Sequence, residues 1–183
     1  WSGHNLGAVH DPGAIIVLSR PFGYHQALRS HPTLIPENAM QIREILTLKS
    51  ADIHSIAPTD SVASAVDRLV GLGVGSLVVL KNGEMVGLLT ERDVVKGMLK
   101  QGCDLKDAEV STIMETEPVV ASADDSVDYA RDVMTKSHIG HLPILEGDKL
   151  FGIISFHDVA KASLKEAKFE NNLLKRYIKH WPE

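Results

Sequence analysis

The chain has 183 residues, 44% of them hydrophobic, which is enough to build the core of one domain of ordinary size. Its formal charge is −5 and its Lys and Arg residues nowhere cluster, which argues against duplex nucleic acid, a partner held through many basic contacts to phosphate. Cys103 is the only cysteine, so an intrachain disulfide is excluded and a reducing compartment fits; the longest apolar run is five residues, far below the ~20 that a membrane-crossing helix needs.

Residues 1–39 form an irregular N-terminal segment with four of the nine histidines, four of the eight prolines and no sustained period of 2 or 3.6. Met40 reads as the natural start, with 1–39 as upstream reading frame or cloning sequence and the cytoplasm as the expected location. The rival is an organelle-targeting remnant, which would move the protein to an organelle matrix. Such segments are rich in Arg and Ser and poor in acid. Gln41–Leu46 is a short amphipathic helix, and Ile53–Ala57 a strand closed by Pro58. Asp60 stands at an N-cap position before a run with apolar residues at Val62, Ala65, Val66, Leu69 and Val70, the spacing of a helix. Gly71-Leu72-Gly73-Val74-Gly75 follows a helix and precedes a strand, the reverse of a dinucleotide-binding fingerprint, and reads as a helix C-cap and turn. Leu77–Leu80 and Met85–Leu89 are strands of a hairpin turning on Lys81-Asn82-Gly83-Glu84. Thr90 marks the junction to a helix that starts near Arg92 and ends at Gly102.

Cys103–Asp107 is a linker in which Asp104 or Asp107 is placed to cap a helix containing Val110 and Ile113, an echo of the Gln41–Leu46 segment. The elements then recur. Pro118–Ser122 is an entry strand. Asp125 precedes a helix with Val127, Ala130, Val133 and Met134, and Leu142–Leu145 and Leu150–Ile154 form a hairpin around Glu146-Gly147-Asp148-Lys149. Ser155 leads into a last helix. From Phe156 to His180, apolar residues at Ala160, Leu164, Ala167, Leu174, Ile178 and Trp181 lie on one stripe, mostly free of charge. That stripe either packs on its own domain or forms a seam for self-association.

The recurrence has a fixed offset. Gly87-Leu88-Leu89-Thr90-Glu91-Arg92-Asp93 and Gly152-Ile153-Ile154-Ser155-Phe156-His157-Asp158 are 65 residues apart at every position (152 − 87 = 158 − 93), as are Val74–Leu80 and Ile139–Leu145. The unit is strand–helix–strand–strand–helix, and one copy has a small, one-sided sheet, so two copies should pack face to face. Two Gly-x-x-Thr/Ser-x-x-Asp segments in register, each closing a hairpin, together with Leu142-Pro143-Ile144, resemble a tandem pair of cystathionine-β-synthase (CBS) domains. The resemblance spans roughly Met40 to Lys165. The expected organisation is a mixed α/β pair related by a pseudo-twofold, with repeats at 40–103 and 104–165 and a helical tail at 166–183.

The resemblance implies a non-catalytic regulatory module that binds an adenine nucleotide (AMP, ADP, ATP, NAD(H) or S-adenosylmethionine type) between the repeats. It also implies a homodimer and a regulated partner protein, with no required cofactor, no nucleic acid and no membrane. Asp93 and Asp158 would accept from the ribose hydroxyls, since a carboxylate makes hydrogen bonds stronger than neutral ones. Thr90 and Ser155 would reach ribose or phosphate, and Gly87 and Gly152 would admit the ligand to the backbone. Carried over by position, one cleft joins Thr90, Arg92 and Asp93 to Val119, Val120 and His141. The other joins Ser155, His157 and Asp158 to His54, Ser55 and Ser76. Arg92 and the Val119-Val120 wall favour the first cleft, whereas Gly140 stands where the family often carries a phosphate-binding arginine. Each Thr/Ser-x-x-Asp is equally an N-cap with an acid on the helix dipole. His138 and His141 have no third partner nearby for a metal, and no nucleophile–base pair or carboxylate dyad points to catalysis. The alternative function is homo-oligomeric assembly without nucleotide sensing.

Overall fold

The computed structural model describes residues 16–18, 24–26, 40–49, 53–102, 104–147 and 149–179. Two short strands, β1 (Ile16–Leu18) and β2 (Tyr24–Gln26), precede helix α1 (Ile42–Leu48). The first repeat runs β3 (Ser55–Ile56), α2 (Val62–Leu72), β4 (Ser76–Lys81), β5 (Glu84–Thr90) and α3 (Glu91–Gln101). A 3-10 turn at Val110–Thr112 leads to the second: β6 (Val119–Ser122), α4 (Val127–Lys136), β7 (His141–Glu146), β8 (Lys149–Ser155) and α5 (Phe156–Lys179). β3-β4-β5 form one sheet, and β6-β7-β8 form the same arrangement in the other, which β1 and β2 extend in the order β2-β1-β6-β7-β8. Three-residue strands are too short to show alternation, and β1 joins the sheet by backbone pairing to β6 (Ile16 opposite Val120, Val17 opposite Val119), so no side-chain pattern announced them. The expectations about the origin of residues 1–39 lie otherwise outside the described residues, as do those for Cys103 and Asp148.

The duplication holds down to single hydrogen-bond registers. Ser76 faces Thr90 and His141 faces Ser155, and each hairpin carries a bulge at the same step, after Val79 in one and after Ile144 in the other. Asn82 (φ 54°) and Gly83 (φ 84°) make the first turn with two left-handed residues, as a type I′ hairpin turn requires. The caps differ from the sequence reading by one residue. Ser61 Oγ accepts from the Ser64 N–H at 3.2 Å and Ser126 Oγ from the Tyr129 N–H at 3.1 Å. Asp60 and Asp125 instead close the preceding loops, accepting from the Ala57 N–H (3.1 Å) and the Ser122 N–H (2.8 Å). Both residue types cap helices; burial of Val62 and Val127 at the first helical position fixes which one does. Likewise Glu109, not Asp104 or Asp107, precedes the 3-10 turn, and it makes no side-chain cap.

The lead-in segments cross over. Ile42, Ile45 and Leu46 of α1 lie in the core of the second repeat with Val127, Leu142, Ile144 and Ile154. Val110, from the linker, lies in the core of the first with Ile56, Leu77 and Leu89. The backbone repeats the exchange: the Ile42 N–H bonds the Asp125 carbonyl and the Val110 N–H bonds the Asp60 carbonyl, both at 2.9 Å. Arg43 pins α1 in place, pairing with Asp124 and, at 3.3 Å, with Glu146, its guanidinium 5.9 Å above the Phe151 ring.

The tail helix buries a different face from the stripe read in the sequence. Val159 and Ala162 enter the core, whereas Ala160, Leu164, Ala167 and Leu174 are exposed, Leu164 and Leu174 by 57% and 62%. These four residues of the stripe therefore do not pack on their own domain; the side chains of Ile178 and Trp181 lie outside the described residues. The apolar residues that reach the core are those opposite α4, and the helix continues past it.

Candidate functional site

The end of β5 and the start of α3 set the geometry of the first motif. Thr90 is the N-cap of α3: its Oγ accepts from the Asp93 N–H at 3.3 Å. Asp93 Oδ2 accepts in return from the Thr90 N–H at 3.0 Å and from the Thr90 hydroxyl at 2.6 Å. This reciprocal arrangement is a capping box, and it satisfies two helix N-terminal donors. Ser155 and Asp158 repeat it at the start of α5, with Asp158 Oδ2 taking the Ser155 N–H (2.8 Å) and hydroxyl (2.7 Å). Both threonine and serine hydroxyls are thus donated to Oδ2 of their own aspartates, and in the first motif Asp93 Oδ1 takes no part in the capping box.

The surroundings of the two aspartates differ. Asp93 Oδ1 lies 3.5 Å from Lys96 Nζ, a loose contact, while Asp158 Oδ2 meets Lys49 Nζ at 2.8 Å. Burial raises the Asp158 pKa, but the Lys49 ammonium and the Ser155 donors outweigh it and hold the carboxyl below its ordinary range. Lys49, the C-cap of α1, escaped the sequence reading because only the crossed lead-in brings it to the second motif.

Thr90, Arg92 and Asp93 share one cavity of about 470 Å³ with Val119, His138 and His141. The wall is completed from α3 and the linker by Glu91, Lys96, Glu115 and Glu117. Arg92 Nη1 donates to the His138 carbonyl at 2.6 Å, so one residue of each repeat closes the lip. His138 holds φ at 53°, the left-handed conformation that Gly73 adopts at the equivalent place in the first repeat (138 − 73 = 65). A β-carbon makes that conformation unfavourable by about 1 kcal/mol. His141 packs where Gly75 has no side chain: a β-carbon there would stand 2.8 Å from His141 Cε1 and 3.6 Å from Glu91 Oε2. Burial lowers the His141 pKa, Glu91 and Asp158 pull it up, and Lys49 pushes it further down.

Several expected roles need correction. Val120 is fully buried, so its side chain forms no adenine wall; Val119 alone of that pair faces the cavity. Gly87 and Gly152 admit protein, not ligand. A β-carbon on Gly87 would lie 2.8 Å from the Glu115 carbonyl oxygen, and one on Gly152 would lie 2.8 Å from Leu46 Cδ2. In the second group, His54 gives its carbonyl to the Val78 N–H at 2.9 Å, Ser55 lies in β3, Ser76 is buried opposite Thr90, and His157 is exposed. The side chain placed on Asp158 is that of Lys49. Glu91, Glu115 and Glu117 were absent from the sequence reading: Glu91 is hidden between the motif's hydroxyl and aspartate, and the linker glutamates carry no pattern. Among the described residues no group of three or more His, Cys, Asp or Glu is placed to hold a metal, and no helix is long and apolar enough to cross a membrane.

Comparison with known proteins assigns the architecture. The CBS domain family profile matches residues 42–100 and 110–165. CBSX3, a mitochondrial CBS-domain-containing protein of Arabidopsis thaliana, is 33% identical over 124 residues, covering 65% of this chain and 60% of its own length. The solved CBS-domain-containing protein of Agrobacterium tumefaciens is 31% identical with a TM-score of 0.65, over 68% of this chain and 99% of that one. A hexameric CBS-CP12 protein from bloom-forming cyanobacteria is 27% identical with a TM-score of 0.59, over 67% of each chain. With two profile matches, a shared register and the paired Thr/Ser-x-x-Asp caps, this chain belongs to the CBS-domain family as a tandem pair.

Proposed function

We propose that the chain is a non-catalytic regulatory module that holds an adenosine-containing ligand in the Thr90–His141 cavity and passes its ligand state to a partner protein. The observation that carries this reading is the shared cavity: it joins a carboxylate, a guanidinium and a half-buried apolar wall drawn from both repeats, at a volume within the roughly 300–1,000 Å³ usual for small-ligand sites. Asp93 Oδ1 is the acceptor for ribose hydroxyls and Val119 the face for a base. His138 adds support, because a backbone conformation that disfavours side chains persists where function retains it. Since the walls come from both repeats, a ligand that prefers one arrangement of them shifts the population toward it. The module works without a required cofactor, in a reducing compartment, cytoplasm or organelle matrix.

Titration calorimetry with AMP, ADP, ATP, NADH and S-adenosylmethionine tests the reading. Asp93→Ala should weaken binding roughly 10- to 100-fold, about 1.4–2.8 kcal/mol, and Asp158→Ala should do less. The reverse order would place the working site in the second motif, and a bound nucleotide that is hydrolysed would overturn the non-catalytic role. One observation favours an assembly role beside or instead of sensing. The exposed leucines Leu164 and Leu174 lie on one side of α5 beyond the core and suit a second copy of this helix.

A further inference from the structure

The charge on the cavity wall separates the members of the adenosine class; this inference rests on the reading that the cavity holds such a ligand. Four carboxylates border it, Glu91, Asp93, Glu115 and Glu117, against two permanent cations, Arg92 and Lys96. Four against two leaves a formal surplus of two negative charges. Arg92 is also engaged on the His138 carbonyl, and Lys96 lies in a loose 3.5 Å contact with Asp93, which offsets part of its charge. His141 sits in the same wall, where burial favours its neutral form. The Glu115 backbone and carboxylate are held in place. Glu115 is tied to Leu88 by two backbone hydrogen bonds of 2.8 and 2.9 Å, and its Oε1 accepts from the Glu117 N–H at 3.1 Å.

A phosphate entering this space competes with the His138 carbonyl for Arg92 or with Asp93 for Lys96, and it also meets the carboxylates of Glu115 and Glu117. Each further phosphate adds repulsion that weakens only with distance and salt. We infer that the cavity selects against phosphate charge: neutral or positively charged adenosyl compounds, such as a nucleoside thioether or sulfonium, bind ahead of AMP, and AMP ahead of ATP, with Glu115 and Glu117 as the discriminating residues. The same acids that exclude a triphosphate attract a sulfonium.

Calorimetry of the full chain at low ionic strength, without divalent cation, is carried out with adenosine, 5′-methylthioadenosine, S-adenosylmethionine, AMP and ATP. The expected result is ATP at least 10-fold weaker than adenosine, a gap that narrows as salt is raised. In the isosteric Glu115→Gln/Glu117→Gln variant, checked for an unchanged melt, the ATP-to-adenosine affinity ratio should rise about 5-fold per carboxylate, about 1 kcal/mol each. AMP or ATP binding more tightly than adenosine overturns the inference while leaving the adenosine site standing. So does a ratio that the double variant leaves unmoved. Failure of every adenosine compound to bind removes the proposed function itself, and the inference with it.

Discussion

Replacing Gly87 by alanine tests whether the glycines of the two motifs serve packing. At position 87 the new methyl meets the Glu115 carbonyl oxygen at 2.8 Å and Met114 Sδ at 2.9 Å. The Glu115 backbone is fixed to Leu88, the next residue of the strand, so it cannot withdraw without stretching hydrogen bonds. Overpacking of this kind costs about 1–3 kcal/mol. Removing a glycine also restricts the unfolded chain and returns about 0.4–1 kcal/mol. The two ranges leave a net loss between about 0 and 2.6 kcal/mol, centred near about 1.3 kcal/mol, a fall of about 4 °C at about 3 °C per kcal/mol. Gly152→Ala is the control. Its methyl meets Leu46 Cδ2 and Cδ1, the far end of a side chain that can turn away, so it should stay within about 0.5 kcal/mol of the parent. Urea and thermal unfolding of the two variants decide the matter. A Gly87→Ala protein as stable as the parent, or a Gly152→Ala protein that loses more, would refute the backbone-contact argument.

Two other expectations follow from the same geometry. Leu164→Lys with Leu174→Lys places two charges on the exposed face of α5 and should give folded monomers in sedimentation; an unfolded protein that keeps the parent's mass would return the stripe to the core. His141 is held below its ordinary pKa of 6.5, so the unfolded chain binds more protons as the pH drops past that value. Its contribution to stability is complete above about pH 6.5 and is lost as pH falls through the folded value, and His141→Gln should flatten that part of a urea-midpoint profile between pH 7.5 and 5.

Much of the fold was legible because it is written twice. The 65-residue offset, the Asn82-Gly83 turn and the Gly102 stop are local signals, and each lies where its chemistry put it. What the sequence did not show depends on contacts between distant segments. Lys49 precedes Asp158 by more than a hundred residues (158 − 49 = 109) and meets it only because α1 packs on the second repeat. Val119 and Val120 look alike in sequence, but the alternation of a strand sends one to the cavity and the other to the interior. The apolar stripe of α5 was real as a pattern, yet which face of a helix is covered depends on where its neighbour ends.

The crossed lead-ins also bear on how the chain reaches this structure. When synthesis has passed Gly102, no hydrophobic unit is yet complete: the first repeat lacks Val110, and α1 has no second repeat to lie on. The bond from Ile42 to Asp125 closes a loop of 125 − 42 = 83 residues, and loop closure of that span must precede any reward from the packing it permits. Completing either core therefore needs chain from both sides of the linker, and a break there would leave two fragments that each hold part of the other's interior.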